Sequence, residues 1–365
     1  MAEPFKERVN AEAVERIATR VAAAWPAFPA GAFVAAVVPK LADLELKDRV
    51  ALVADALADR LPTPFPEALR VLVAALPDAP NGAVDVGGGM WVWPVLTVVE
   101  RRGAGEPEAS LSALREMTSR FSAEFAVRPI LVAHPELAYA TLAEWVGDPN
   151  VHVRRLVSEG SRPRLPWGQR LPAAVSDPTR GLALIERLVD DPEPYVRRSV
   201  ANHLGDVAKD HPERAVAVAQ AWIAANPARA AVARHGLRDL LKKGHAGALA
   251  LFGEGGGGVR VSGLRVTPAE AAAGGKVEVR AEIEALTAGA VRVDVVWRWP
   301  GARGGTGGKT FRGAVRQLAA GETWSFRSAL SLRPVSTRPL RPGEQKVWLR
   351  VGGEDVGPAG FRLLG

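Results

Sequence analysis

The sequence has 365 residues, of which 47% are hydrophobic, so it is long enough for two or three domains with sizeable cores. It contains no cysteine, which excludes disulfides, thiol nucleophiles and thiolate zinc sites. No apolar run is long enough to cross a bilayer, and no basic-then-apolar leader follows Met1. These features predict a cytoplasmic protein without a membrane partner.

The net charge of +7 is unevenly distributed along the chain. Residues 1–253 hold 30 basic and 30 acidic side chains, whereas residues 254–365 hold 17 basic and 10 acidic ones. A nucleic acid bound to the first part would therefore need a local arginine cluster on an otherwise balanced surface. The second part would add a basic face of its own.

The first part of the chain is predicted to be helical. Residues 11–24, 51–60, 111–120 and 214–225 are rich in alanine and leucine, and their apolar residues recur at intervals of three and four. This period is that of an amphipathic helix with one buried face.

Three arginine-rich motifs follow one another between residues 118 and 206. They read TSRFSAEFAVRP from residue 118, RRLVSEGSRPRLPW from residue 154 and VRRSVANHLGD from residue 196. Each contains one notable carboxylate, namely Glu124, Glu159 and Asp206. Carboxylates among arginines suit a site that holds a polyanion while it stabilises a developing positive charge, which indicates nucleic-acid chemistry.

An internal repeat overlaps the second and third motifs. The segment DPNVHVRR at residues 148–155 returns as DPEPYVRR at residues 191–198, 43 residues later. That period is typical of HEAT-type helix pairs, which stack into a solenoid with a concave face. In each copy the aspartate is predicted to cap a helix whose first turn accepts the following proline.

The arginines of this repeat have two interpretations. Asp148 with Arg154, and Asp191 with Arg197, are six residues apart and could form a scaffold ladder inside each repeat. The second arginine of each copy is expected to point outward, towards phosphate. Arg162 and Arg164 stand among prolines, which hold the backbone in a fixed loop suited to phosphate oxygens.

The three motifs resemble, in order and approximate spacing, those of the AlkC family of DNA alkylation-repair glycosylases, within the AlkC/AlkD superfamily of helical-repeat enzymes. The resemblance covers most of residues 1–253. It implies a hydrolase that cleaves the N-glycosidic bond of small cationic alkylated bases, foremost 3-methyladenine, in double-stranded DNA. It assigns Glu124, Glu159 and Asp206 as the catalytic acids. The residues predicted to bind DNA are Arg120, Arg154, Arg155, Arg162, Arg164, Trp167, Arg197, Arg198, Lys242 and Lys243.

The chemistry implied by this resemblance explains the carboxylates. A base methylated at N3 is already cationic, so its departure needs little protonation and leaves oxocarbenium character on the sugar. Carboxylates stabilise that charge and can orient or deprotonate a water for attack at C1′. Trp167 could stack on the cationic lesion or pack under the proline-rich loop. We expect no cofactor and no metal, because the six histidines show no paired ligand spacing.

The last part of the chain is predicted to be a β-sandwich. Residues 253–258 read GEGGGG, the composition of a flexible linker. Beyond it, residues 276–283, 291–297 and 346–351 alternate between apolar and polar side chains. We therefore predict a HEAT-like all-α solenoid at residues 1–252, a linker at 253–258 and an all-β immunoglobulin-like sandwich at 259–365. We expect a monomer.

A non-catalytic protein with the same helical repeat is the competing hypothesis. It would recognise unusual DNA structures without excising a base, or it would serve as a scaffold for protein partners. Each acid taken singly fits this hypothesis, and Glu159 follows Arg155 at the four-residue spacing of an ordinary ion pair on a helix. Only the enzyme needs the three acids to converge on one site.

Overall fold

The computed structural model of the protein describes residues 4–78, 89–255, 258–301, 305–335 and 340–365. Within these ranges sixteen α-helices precede eight β-strands, so an all-α helical repeat is followed by an all-β region. The helices are α1 (Ala11–Ala24), α2 (Ala30–Val37), α3 (Leu46–Ala58), α4 (Phe65–Ala74), α5 (Trp93–Arg102), α6 (Pro107–Met117), α7 (Arg128–Ala133), α8 (Pro135–Trp145), α9 (Val151–Gly160), α10 (Pro172–Ser176), α11 (Thr179–Leu188), α12 (Pro194–Asp210), α13 (Pro212–Ala225), α14 (Ala230–Gly236), α15 (Arg238–Lys243) and α16 (Ala246–Leu251).

In the described ranges, no helix combines the length and apolar character needed to cross a membrane.

Helix α1 illustrates why these segments are helical. The side chain of Asn10 accepts a hydrogen bond from the backbone N–H of Ala13 at 3.0 Å and so caps the first turn. Val14, Ile17 and Val21 follow at intervals of three and four, and all three are buried. The apolar stripe that predicted this helix is therefore the face that packs against the core.

The internal repeat appears as two helix pairs, α8 with α9 and α11 with α12. Helix α9 packs against both α11 and α12, and α8 contacts α11. The repeat aspartates do not cap the helices as predicted. Asp148 accepts from the N–H of Asn150 at 2.7 Å, and Asp191 accepts from that of Glu193 at 2.9 Å, so each closes the turn that precedes its helix. Asn150 is the residue that caps α9.

The scaffold ladder exists, but it runs between repeats and not within them. Arg154 donates to Asp191 of the next repeat at 2.6 Å and 3.2 Å, and Arg115 donates to Asp148 at 2.6 Å. Towards its own repeat, Arg154 donates only to the Asp148 and Pro149 carbonyls. The predicted pairing six residues apart was wrong, because each aspartate carboxylate is bound by the N–H of its own turn and by an arginine of an earlier helix. These arginines tie neighbouring repeats together.

The strands form two sheets that enclose one apolar core. One sheet has the order β1-β3-β6 and the other β2-β8-β7-β4-β5, and every pair is antiparallel except β2 with β8. Inward side chains such as Ile283, Trp297 and Leu349 are fully buried, as the alternation predicted. The strands are β1 (Val259–Thr267), β2 (Glu270–Ala272), β3 (Lys276–Ala285), β4 (Gly289–Pro300), β5 (Thr306–Leu318), β6 (Thr323–Ser331), β7 (Gly343–Val351) and β8 (Glu354–Leu364).

The contacts divide the chain into two compact units, residues 1–210 and residues 211–365. The second unit contains α13 to α16 together with the sandwich, so the boundary at residue 252 stays a prediction. Of the predicted linker, Gly256 and Gly257 lie outside the described residues. Glu254 is buried, and its carboxylate lies between the guanidinium groups of Arg234 and Arg292. This residue is held by two ion pairs inside the second unit.

Candidate active site

Five charged side chains of alternating sign form one connected row in the first unit. Glu124 precedes α7, Arg155 and Glu159 lie on α9, Arg162 follows that helix, and Asp206 lies on α12. Arg155 bridges Glu124 at 2.5 Å and Glu159 at 3.6 Å. Arg162 bridges Glu159 at 2.6 Å and Asp206 at 2.8 Å. The three predicted catalytic acids are therefore joined through two shared guanidinium groups.

The row is largely buried, and its charges balance once Lys209 is included. The side-chain exposure falls from 16% for Glu124 through 7% for Glu159 to 2% for Asp206. Three carboxylates share two guanidinium groups, and a lysine at the Asp206 end supplies the third positive charge. Lys209, which is nearly half exposed, donates to Asp206 at 2.8 Å from the solvent side. The Glu124 end is the more exposed one, and there the carboxylate oxygen Oε1 is bound by neither Ser122 nor Arg155.

The surroundings of Glu159 keep this carboxylate ionised. Burial by itself would raise its pKa, but Arg155, Arg162 and a hydrogen bond from Ser199 outweigh burial and hold the pKa below the ordinary value. The Ser199 hydroxyl donates to Glu159 Oε2 at 2.6 Å, while Arg162 binds Oε1. Both carboxylate oxygens therefore have partners, and the group is fixed in orientation as well as in charge.

A neutral histidine is buried next to this row. His203 on α12 is fully buried, and burial lowers its pKa to about 4. Its Nδ1 lies 3.0 Å from the carbonyl oxygen of Ser158, so Nδ1 carries the proton and donates. The Nε2 atom has no hydrogen-bond partner among the described residues. A Cβ at Gly181 would lie 2.7 Å from that nitrogen, which explains the glycine.

The arginine loop, residues 161–171 between α9 and α10, is tied down along its length. Arg128 is fully buried and donates to the carbonyl oxygens of Gly160, at 2.7 Å, and of Gln169, at the two ends of the loop. Arg164 forms a bidentate pair with Asp210 at 2.6 Å and 2.7 Å. These contacts hold a segment without regular secondary structure against α7 and α12.

Trp167 stands exposed on this loop. The residue is 64% exposed to solvent. Its φ of 66° is the one positive value found for a non-glycine residue in the described ranges. The ammonium of Lys47 donates to the Trp167 carbonyl oxygen at 2.9 Å. Of the two interpretations of this tryptophan, packing under the loop is therefore wrong, and stacking on a ligand stays a prediction.

The arginines predicted to bind phosphate differ in what they already contact. Arg155, Arg162 and Arg164 are paired with carboxylates as described above. Arg120 and Arg197 donate to backbone carbonyl oxygens, Arg120 also contacts Ser119, and Arg154 belongs to the ladder. Arg198 is exposed and has no side-chain partner among the residues that the structure describes. Phosphate binding stays a prediction for all of them, and Arg198 is the one whose guanidinium is not already engaged. The remaining two predicted residues, Lys242 and Lys243, lie in the second unit, at the end of α15.

Sequence reasoning missed several residues that shape the site. Arg128 and Ser199 both stand within the recognised motifs, yet a motif alone does not distinguish a residue that contacts a ligand from one that positions another residue. Tyr195 was also missed, and its ring packs against the Arg155 guanidinium at 5.0 Å. Its place in the first turn of α12, three residues before Arg198, was the available signal. In the described ranges no group of three or more histidines and carboxylates is arranged to hold a metal ion.

Comparisons with known proteins agree on one family. The chain is 34% identical to the uncharacterized protein YhaZ of Bacillus subtilis (strain 168) over 96% of both sequences. Residues 260–365 match the family model described as the C-terminal Ig-like domain of uncharacterised protein YhaZ. The fold matches Pseudomonas fluorescens alkylpurine DNA glycosylase AlkC, bound to DNA containing an abasic site analog, with a TM-score of 0.89, 34% identity and full coverage of both chains. The chain therefore belongs to the AlkC family.

Proposed function

We propose that the protein is a DNA glycosylase that hydrolyses the N-glycosidic bond of small cationic alkylated bases, with 3-methyladenine as the main substrate. The buried row of Glu124, Arg155, Glu159, Arg162 and Asp206 is the observation that carries this proposal. A substrate with one positive charge complements the accessible carboxylate of Glu124, whose Oε1 is bound by neither Ser122 nor Arg155. The 34% identity to the AlkC glycosylase over the whole chain supports the same reaction class.

The reaction needs only water as a co-reactant. The C1′–N bond breaks, its electron pair leaves with the base, and a cationic base thereby departs as a neutral molecule. The sugar acquires oxocarbenium character, which the carboxylates stabilise through space. Water then forms the new C1′–O bond and gives its proton to a carboxylate or to solvent. The low pKa of Glu159 suits electrostatic stabilisation, since a group that stays ionised is a weak proton acceptor.

The roles of the three acids follow from their accessibility. Glu124 is the most exposed of them. Ser122 and Arg155 both bind its Oε2, so neither of them occupies Oε1. We therefore assign Glu124 to the water or the sugar. Asp206 is the most enclosed, and Arg162 and Lys209 bind its two oxygens. We assign Asp206 to the electrostatic field that the row presents, at a greater distance from the reacting atoms.

Duplex DNA is the proposed partner of both units. In the first unit, Arg198 and the exposed ring of Trp167 are the side chains most available to a phosphate and to a base or sugar. In the second unit, the excess of basic residues supports a role as an accessory DNA-binding surface. The proposal does not require any acid of the first unit to leave its arginine partner.

Release of free base from methylated duplex DNA tests the proposal. We expect the purified full-length protein to release 3-methyladenine and to leave abasic sites, and the doubly substituted variant E159Q/D206N to release none above the uncatalysed rate. Tight binding of the same duplex without base release would contradict the proposal and support the non-catalytic hypothesis. The non-catalytic hypothesis also accounts for Asp206, because both of its carboxylate oxygens are already bound by Arg162 and Lys209.

A further inference from the structure

The second unit contains a pocket whose charged lining is entirely basic. It lies between helices α14 and α15 and strands β4 and β5 and has a volume of about 530 Å³. Five lysine and arginine side chains and one histidine line it, beside two apolar residues, and no carboxylate does. The lining consists of Ala231, Arg234, His235, Arg238, Leu241, Lys242, Arg292 and Arg312.

Two of the five cations are neutralised by carboxylates behind the pocket wall. Glu254 accepts from both Arg234 and Arg292, and Asp294 accepts from Arg292 at 2.7 Å and 3.3 Å. Glu254 is 4% exposed and Asp294 is 1% exposed, so their negative charge acts mainly on the arginines with which they pair. They fix the two arginines in place as the rigid floor of the pocket.

The other three cations have no carboxylate partner among the described residues. Arg238 donates to the His235 carbonyl oxygen at 2.8 Å, which orients its guanidinium without changing its charge. The backbone of Lys242 is held by Arg350, which donates to its carbonyl oxygen at 2.7 Å, and its ammonium remains available. Arg312 is exposed on β5. Like charges around one cavity repel one another, and an anion inside it removes that repulsion.

We propose that this pocket binds a phosphoryl group. Two geometric features favour this anion over a carboxylate or chloride. The guanidinium groups present planar, forked donors that match phosphoryl oxygens, and Lys242 adds a point charge. The converging charges suit a group with several oxygens and one or more negative charges. The phosphoryl group comes from the DNA backbone or from a free phosphate compound, and the experiment below separates these sources. Only the DNA source rests on the proposed function.

The first measurement uses inorganic pyrophosphate as the probe and full-length protein throughout. We expect calorimetric titration at low salt to detect binding, and the variant R238Q/R312Q to lose at least tenfold in affinity. R327Q/R260Q is the matched control, because it removes two arginine charges from the other sheet of the same sandwich, where both side chains are exposed. K242Q is an independent third variant, which we also expect to lose affinity. It tests the pocket if the double variant is poorly folded.

The second measurement uses an undamaged duplex, with affinity recorded as a function of salt. If a DNA phosphate occupies the pocket, the slope of log affinity against log salt should fall by about 0.9 per lost phosphate contact in R238Q/R312Q and not in the control. An unchanged slope with lost pyrophosphate affinity would assign the pocket to a free phosphate compound. If neither measurement separates the pocket variants from the control, the proposal is wrong. If R238Q/R312Q loses pyrophosphate affinity but the unmodified protein releases no base, the proposed function is wrong and the pocket proposal still holds.

Discussion

The arginines of the two units stand in different electrostatic surroundings. Residues 1–210 contain 24 lysines and arginines against 28 carboxylates, and the arginines of the motifs are largely paired with acids or with backbone carbonyls. Residues 211–365 contain 23 basic side chains against 12 carboxylates. In the first unit the arginines of the motifs orient acids, whereas in the second unit some arginines have no carboxylate partner within the described ranges and can bind a ligand. The density of arginine in a sequence thus says less about binding than the partner of each arginine.

The sharpest test of the first unit removes one negative charge from its row. We expect E159Q to slow base excision by about 10²- to 10³-fold, the usual loss when one preorganised electrostatic group is removed from a site. The amide still accepts from Ser199, and Arg155 and Arg162 keep Glu124 and Asp206 as partners, so the fold should persist. Single-turnover excision by the variant measures the effect.

The matched control is E108Q, which removes the same charge from an exposed glutamate in the first turn of α6. Its excision rate should equal that of the unmodified protein. An E159Q rate within threefold of this control would mean that the row is part of the scaffold, and the contrast between the two units would lose its functional meaning.

Glu254 is the place where the second unit behaves like the first. We expect E254Q to lower the free energy of unfolding by about 3 kcal/mol, because it leaves two arginines facing each other without their shared carboxylate. The partial exposure of Arg234 keeps the loss at the low end for a buried pair. Chemical denaturation measures it, with E270Q on β2 as an exposed control. A loss no greater than in that control would indicate that water replaces the carboxylate.

The pH dependence of stability tests the neutral histidine behind the row. The pKa of His203 is about 4 in the folded protein against 6.5 for an ordinary histidine, so the unfolded state takes up a proton first as the pH falls. Stability should therefore decline between pH 6.5 and pH 4, by up to about 3 kcal/mol from this residue. The variant H203N should lack that part of the decline, and H134N should keep it. Parallel curves for H203N and the unmodified protein would contradict a neutral buried His203.

The smallest expected effect distinguishes a paired arginine from an unpaired one. We expect R198Q to reduce the salt slope of duplex binding by about 0.9, as loss of one phosphate contact does. R164Q should reduce the slope by less, because the Arg164 guanidinium must leave Asp210 before it can bind a phosphate. Equal reductions in both variants would show that Arg164 exchanges its carboxylate for phosphate, and pairing in the free protein would then be a poor guide to binding.

The sequence predicted the architecture and the position of the acids better than their partners. Periods of 3.6 and 2 residues depend on burial of one face, so they located helices such as α1 and strands such as β4 within a few residues. Partners depend on how neighbouring repeats stack. Arg154 was paired with the aspartate of its own repeat because the sequence shows only the spacing within a repeat. The pairing of Arg162 with Asp206, 44 residues away, was missed because only the packing of α9 on α12 brings the two together.

The backbone conformation of Trp167 has a consequence for the timing of any recognition step. A left-handed conformation costs a non-glycine residue on the order of 1–2 kcal/mol. The clamps on the arginine loop, including Lys47 at the Trp167 carbonyl, offset that cost during folding. The backbone that carries the ring is therefore in place before any ligand arrives, and a ligand would meet it without a separate ordering of the loop. Association through such a residue should be limited by encounter and not by rearrangement of the loop.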